Sequence, residues 1–381
     1  MKIFKFILIY FIIDLLLSQI FLLKILDFKT ENAYRNDLEN RIFNEDYKYT
    51  FKPNVTYTSK YLNYFYEIST NDLGFRDKTN KNLDLEKTYN IVIGDSFVEG
   101  VGLPYDDTLV GLLNELSQKK TYFLNAGVAS YSTYIYLKKI ENILNDYPEL
   151  KIERVYLLLD KSDILDDLNY INHHGKFTDT KGLYKNSRKQ NFFNYLFDLN
   201  FWRFLTSQTI SGILIKKITD FLETLAGNLH KRFVLAKNLN KSFFSVNKQE
   251  ISSLKSINNR KFISNTFSDE LWWNKEGIAS INFSIKNLIK LKELLDIKKI
   301  ELNIILYPWA FELIDDKFKN KYLGIIKPLL EKNNLKYYDV YQEFTDYTEN
   351  IYETIGNTFL YEDIHYNKSG YKILADFIIK N

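Results

Sequence analysis

From residue 89 to the C-terminus, short apolar runs alternate with stretches of helical spacing, and this pattern limits the fold more than any other feature. Residues 89–93 (YNIVI) form an uninterrupted apolar run ending at Gly94, which suits a strand buried on both faces. Helical spacing follows over 107–117, a second strand over 122–125, a helix over 134–144 and a third strand over 155–159 (VYLLL). The pattern resumes with a helix over about 277–295, a strand over 302–306 (LNIIL), a helix near 319–332, a last strand over 337–340 and a C-terminal helix over 368–379. Strands alternating with helices build βαβ units, hence a parallel sheet covered on both faces. The expected class is α/β in three layers, α/β/α, with a parallel sheet.

The alternation lapses between about 168 and 270. A structureless loop of that length is improbable inside a compact domain, so the stretch reads as a mostly helical insertion. Within it, residues 209–225 (TISGILIKKITDFLETL) carry Lys216, Lys217, Asp220 and Glu223 at amphipathic spacing. Residues 28–70 are polar and aromatic with no clear period, and are expected to form a stalk plus an edge β-segment.

Residues 6–23 (FILIYFIIDLLLSQIFLL) are apolar except for Asp14, Ser18 and Gln19, close to the minimum length of a membrane-spanning helix. Lys2 and Lys5 precede the run, which by the positive-inside rule keeps the N-terminus cytoplasmic and puts the rest outside. A cleaved signal peptide is the competing reading, but no small-x-small site follows at Lys24-Ile25-Leu26-Asp27. Residues 1–27 are therefore expected to be an uncleaved, single-pass anchor in the inner membrane. Residues 71–381 would then form an extracytoplasmic, periplasmic domain. Asp14 within the span costs about 2.5–3.5 kcal/mol on insertion scales.

Composition removes several functions. Lys and Arg total 51 against 48 Asp and Glu, a net charge of +3 that argues against nucleic acid as a partner. Cysteine is absent, which excludes disulfide frameworks, thiolate metal sites and a cysteine nucleophile together. Aromatic residues reach 16%, with 29 Phe and 29 Tyr, and accompany a general bias toward Ile, Asn and Lys. Only Trp272, Trp273 and Trp309 stand out as residues to stack on a sugar.

Chemistry concentrates at two points. The first is Gly94-Asp95-Ser96-Phe97, where a serine follows a buried strand directly and so stands at the carboxyl edge of the sheet, where α/β folds hold ligands. It is not the Gly-x-Ser-x-Gly elbow, because Val98 occupies the last position. A serine nucleophile needs a base, and the chain has four histidines. His173 and His174 lie in the irregular insertion, and His230 sits among Lys and Arg. His365, in Asp363-Ile364-His365-Tyr366-Asn367, falls between the last strand and the last helix with acids beside it, as a Ser–His–acid relay requires.

These blocks resemble those of the SGNH/GDSL hydrolases, bacterial membrane-anchored type. Asn71-Asp72-Leu73-Gly74-Phe75-Arg76 is similar to the stretch that precedes the nucleophile block, and Gly94-Asp95-Ser96-Phe97 to that block itself. Leu124-Asn125-Ala126-Gly127-Val128 is similar to the second block, and Tyr307-Pro308-Trp309 to a stretch common in this type. Asp363-x-His365-x-Asn367-x-x-Gly370 is similar to the block carrying acid and base. The resemblance implies a flavodoxin-like α/β/α fold, a catalytic set of Ser96, Asp363 and His365, and an oxyanion hole from Ser96, Gly127 and the third block. It implies no cofactor and no metal.

Two departures stand beside it. The third block ordinarily carries Gly-x-Asn-Asp, whereas this chain reads Asp160-Lys161-Ser162-Asp163, so Ser162 takes the place of the oxyanion asparagine. One oxyanion donor is worth about 2.7–4 kcal/mol, and a short rotating hydroxyl replaces an amide here. The acidic run Asp160, Asp163, Asp166 and Asp167 does not fit an EF-hand, and a solvated strand-end loop is expected there. Glu362, three residues before His365, is the alternative acid to Asp363. The expected function is a serine esterase acting on acylated glycans of the cell envelope. An O-acyltransferase using the same residues is one alternative, and a catalytically weak glycan-binding or assembly protein is another.

Overall fold

The computed structural model describes residues 36–45, 48–62, 64–118, 120–159, 161–172, 277–314, 316–360 and 363–381, together with Tyr10, Ile13, Asp14 and Ala33. The chain divides into two compact units, Met1–Arg35 with Thr180–Asn247, and Asn36–Asp179 with Lys248–Asn381. The architecture below belongs to the second unit. Nearly all of the expected anchor, the amphipathic stretch 209–225, His173, His174, His230, Trp272 and Trp273 lie outside the described residues. Among the described residues, no helix is long and apolar enough to cross a membrane.

After a helical stretch at 36–40, the unit forms an antiparallel hairpin, β1 (Arg41–Asn44) with β2 (Lys48–Phe51). The main sheet then collects β3 (Thr56–Tyr61), β4 (Tyr64–Thr70), β5 (Arg76–Asp77) and β6 (Thr88–Ile93). After β6 come the single-turn helix α1 (Ser96–Glu99), α2 (Leu109–Leu116), β7 (Tyr122–Asn125), α3 (Thr133–Asp146), β8 (Lys151–Leu159) and α4 (Lys161–Asn172). The remainder is α5 (Ile278–Ile297), β9 (Glu301–Leu306), α6 (Asp316–Lys332), β10 (Tyr337–Asp339), α7 (Tyr341–Thr345), α8 (Ile351–Thr358) and α9 (Lys368–Lys380).

The sheet has eight strands in the order β10-β9-β8-β6-β7-β5-β4-β3. Its parallel part, β7-β6-β8-β9-β10, has the flavodoxin-like order that the resemblance implies. The expectation of a wholly parallel sheet is corrected, because β5, β4 and β3 add antiparallel to the edge beyond β7. The cause is connection length. Only residues 62 and 63 separate β3 from β4, and so short a link permits nothing but antiparallel pairing. From residue 36 onward, the stretch expected to be stalk and edge segment is folded into this unit.

Burial explains the continuous apolar runs. Residues 89–93, 155–159 and 302–306 are all buried, since β6, β8 and β9 are inner strands with neighbours on both sides. The chain leaves β6 in one direction to reach β7, then crosses back over β6 to reach β8. Right-handed crossovers therefore put α2 and α3 on opposite faces and open a crevice at the carboxyl end of β6. Helix α9 packs on α2, and α5 packs on α3 and α4.

Helix α4 also corrects the solvated loop expected at 160–167. Asp167 is buried and accepts from Ser284 Oγ at 2.6 Å, from Tyr134 N at 3.2 Å and from the Thr133 hydroxyl. Asp163 accepts from Tyr136 OH at 2.7 Å. These acids are struts between α3, α4 and α5. Burial raises the Asp167 pKa, and the hydroxyl donors pull against it.

Candidate active site

Ser96 begins α1, immediately beyond β6 and so at the crevice. The turn is tight because Gly94 lets strand and helix close up; a Cβ there would lie 2.4 Å from Val98 Cγ2. Asp95 caps α1, its Oδ1 accepting from Phe97 N at 2.9 Å, so the serine is fixed by the helix it starts. Its side chain is half-buried, while Asp95 and Phe97 on either side are buried.

His365 arrives on the loop between α8 and α9, not directly after the last strand, since α7 and α8 intervene. That loop is pinned. Leu360 N donates to His365 O at 2.8 Å, and Asn367 N to Thr358 O at 3.0 Å. Asn367 also caps α9, accepting from Ser369 N at 2.9 Å and Gly370 N at 3.2 Å. Gly370 lies against the loop's start, where a Cβ would come within 2.2 Å of Thr358 O. The Asn-x-x-Gly part of the last block is thus a clamp for the loop that holds the histidine.

The two halves meet. Ser96 Oγ lies 2.7 Å from His365 Nε2, across 269 residues of sequence. His365 Nδ1 pairs with Asp363 Oδ1, which also accepts from His365 N at 2.9 Å. Because a carboxylate can only accept, the ring proton belongs on Nδ1, which leaves Nε2 free to accept from the serine. Ser96 Oγ has a second acceptor in Asp95 Oδ2, longer at 3.3 Å. Glu362, the alternative acid, lies outside the described residues.

Burial alone would raise the Asp363 pKa, yet hydrogen bonds from His365 and Tyr61, with the His365 charge, bring it below the ordinary carboxylate range. Tyr61, the last residue of β3, donates to Asp363 Oδ2 at 2.9 Å and stands 3.2 Å from His365 Nδ1. Nothing near residue 61 in sequence marks it, since its partners lie over 300 residues away.

The segment preceding the nucleophile block holds the loop after it. Asn71 Oδ1 accepts from Leu73 N and Phe75 N, both at 3.1 Å, and the turn aims Arg76 inward. Buried Arg76 donates to the carbonyls of Glu99 (2.6 Å), Gly100 (2.7 Å) and Leu103. Glu99 O is freed where α1 ends, and the other two carbonyls belong to the turn that follows it. Glu99, fully buried, accepts from Arg41 through Nη2 (2.6 Å) and Nη1 (3.1 Å) and from Ala129 N at 2.7 Å. Burial works against the Arg41 charge, but Glu99 and Asp37 more than offset it and hold its pKa well above the ordinary value.

The expected oxyanion residues fare unevenly. Ser96 N is at the start of α1. Gly127 N donates to Asn125 Oδ1 at 3.1 Å, so it can serve an oxyanion only as a shared donor. Asn125 in turn donates to Val98 O at 2.8 Å, joining the second block to α1. Ser162 stands half-buried in the first turn of α4.

Trp309 is corrected as a sugar-stacking candidate. It is 1% exposed, stacks on Phe97 with ring centroids 6.3 Å apart, and forms the floor beneath the site. Lys161, buried beside Ser162, pairs with Glu312 and lies over the rings of Trp309 (4.9 Å) and Phe311 (4.7 Å). Phe97 also packs on His365, with centroids 4.7 Å apart. A separate groove of about 700 Å³ opens at the amino edge of the sheet, lined in part by Lys81, Asp84, Tyr89 and Tyr122, and none of the Ser96–His365–Asp363 set borders it. Among the described residues, no cluster of His, Asp and Glu is arranged to hold a metal.

No family model matches the sequence, and no curated protein matches it. Solved structures to which the chain is similar include a member of the lipolytic protein G-D-S-L family from Veillonella parvula. That match has 14% identity and a TM-score of 0.37, over 77% of this chain and 97% of the other. An acetyl xylan esterase from Geobacillus stearothermophilus is similar at 11% identity and a TM-score of 0.35, over 77% and 93%. The esterase EstA from a Pseudoalteromonas species is similar at 10% and 0.35, over 76% and 94%. At these values the likenesses carry no statement about chemistry.

Proposed function

We propose that this chain is a serine esterase of the SGNH/GDSL type, with Ser96 as nucleophile, His365 as general base and Asp363 as the acid that orients it. One observation carries the reading, the 2.7 Å approach of Ser96 Oγ to a His365 Nε2 whose Nδ1 faces a buried carboxylate. Ser96 Oγ bonds to the ester carbonyl carbon as His365 takes its proton. The imidazolium then protonates the departing alcohol oxygen, the ester C–O bond breaks, and an acyl-Ser96 remains. Water, deprotonated by His365, attacks the acyl carbon, the bond to Ser96 Oγ breaks as the imidazolium returns the proton to it, and the acid is released. Asp363 keeps its charge throughout and stabilises the imidazolium. Ser96 N, Ser162 and the shared Gly127 N are the donors to the tetrahedral oxyanion.

The substrate class follows from placement. An N-terminal run of 18 mostly apolar residues preceded by Lys2 and Lys5 makes the enzyme a single-pass membrane protein facing out of the cytoplasm, where acylated envelope glycans carry esters. An acceptor sugar hydroxyl replacing water in the second half-reaction would make it an O-acyltransferase.

The test is turnover of p-nitrophenyl acetate and labelling by an active-serine fluorophosphonate in the full-length protein. Ser96→Ala is expected to abolish labelling and to lower turnover by at least about 10⁴-fold. Wild type equal to Ser96→Ala on both measures would sink the esterase reading. It would favour the alternative of a catalytically weak glycan-binding or assembly protein, which Ser162 in place of an amide and the prior engagement of Gly127 N already motivate. Repeating turnover with an acceptor glycan, and analysing products, separates hydrolysis from transfer.

A further inference from the structure

We infer that Tyr61 is a positioning residue for the Ser96–His365–Asp363 relay, its hydroxyl holding the Asp363 oxygen that faces away from the imidazole; this rests on the esterase reading above. The geometry divides the carboxylate between two elements. Oδ1 takes both donors of His365, the backbone N at 2.9 Å and the ring Nδ1, while Oδ2 accepts from Tyr61 OH at 2.9 Å. The two donors on Oδ1 already restrict rotation about the Cβ–Cγ bond, and a donor on Oδ2 restricts it further. Held at both oxygens, the carboxylate presents one fixed lone pair to Nδ1, and the ring plane that aims Nε2 at Ser96 is fixed with it. The Tyr61 ring meets the imidazole edge to face, with centroids 5.3 Å apart and planes at 87°, so it also limits tilt of the imidazole.

The tyrosine is itself braced. A Cβ on Gly102 would stand 3.3 Å from Tyr61 Cδ1 and 3.3 Å from Leu360 Cδ1, so the tyrosine ring and the histidine loop pack on the same short segment. Arg76 holds that segment by the carbonyls of Gly100 and Leu103. The β3 edge strand therefore reaches the acid end of the relay through a rigid support. Its hydroxyl is a neutral donor to a charged acceptor, the class of hydrogen bond whose loss is felt most.

Tyr61→Phe keeps the braced ring and removes only the hydroxyl, so a folded variant with a modestly lowered unfolding midpoint is expected. In the full-length protein with p-nitrophenyl acetate, kcat should fall about 10- to 100-fold with KM unchanged within about twofold. In an Asp363→Asn background, the same substitution should cause little further loss, because its effect runs through the carboxylate. An unchanged kcat, or an equal loss in both backgrounds, would overturn the inference. A second readout needs no activity. The downfield proton resonance of His365 Nδ1–H should be displaced in Tyr61→Phe, and an identical resonance in wild type and variant would also overturn it. An inactive wild type would refute the esterase reading, and the resonance would still decide for or against Tyr61.

Discussion

Asp363 occupies a place where a carboxylate should be hard to keep ionised, and the donors around it reverse that tendency. Its folded pKa is depressed, so the stability it contributes is fully present above the unfolded value of about 3.9 and is lost as pH falls through the folded value. Unfolding free energies measured from pH 6 downward should drop below about pH 4 in wild type, and drop less in Asp363→Asn. Glu99, at the end of α1, is a fully buried acid whose guanidinium partner comes from the β1–β2 hairpin. Arg41→Met leaves that charge uncompensated and should cost about 3–5 kcal/mol, read by denaturant unfolding. Sequence reasoning singled out Ser96, His365 and Asp363, which the fold brings together, because each stands in a short block with its own chemistry. It missed Tyr61 and Arg41 because their partners lie far along the chain, and no local pattern encodes a contact of that range. It overvalued Trp309, whose residue type suggested a sugar platform while its place under Phe97 makes it core.

Among the elements, those with buried faces were readable. Strands β6, β8 and β9 announce themselves as unbroken apolar runs, and helices α2, α3, α5, α6 and α9 fall within a few residues of the spans their spacing implies. The antiparallel direction of the edge expected within 28–70 was not readable, because β3 reads TYTSKY, with polar and aromatic residues on a strand paired along one side only. Helix α4 was hidden for a related reason. Its acids turn inward to hydroxyls on α3 and α5, so its inner face does not look apolar. The clamp at the start of α9 gives this scale its test. Gly370→Ala would push a Cβ toward Thr358 O and move the loop bearing His365. It should destabilise the protein by about 1–3 kcal/mol and lower kcat, measured by thermal unfolding and p-nitrophenyl acetate turnover.

The β1–β2 hairpin belongs to the body of the second unit. Tyr131 OH donates to Tyr49 O at 2.7 Å, and Lys139 Nζ to Thr50 Oγ1 at 2.8 Å. Burial lowers the Lys139 pKa to about 8, so between there and the unfolded value of about 10.4 the unfolded chain binds the extra proton. Stability should therefore rise with pH across that window in wild type relative to Lys139→Met, as equilibrium unfolding at pH 7, 8.5 and 10 would show. The hairpin's attachment also sets where this protein can be shortened for expression. Removing the apolar leader by starting at residue 71, where the motif-bearing sequence begins, deletes Arg41, Thr50 and Tyr61 in one cut. Starting at residue 36, where the second unit begins, keeps all three, so a form without the apolar run can begin there and retain Arg41 on Glu99 and Tyr61 on Asp363.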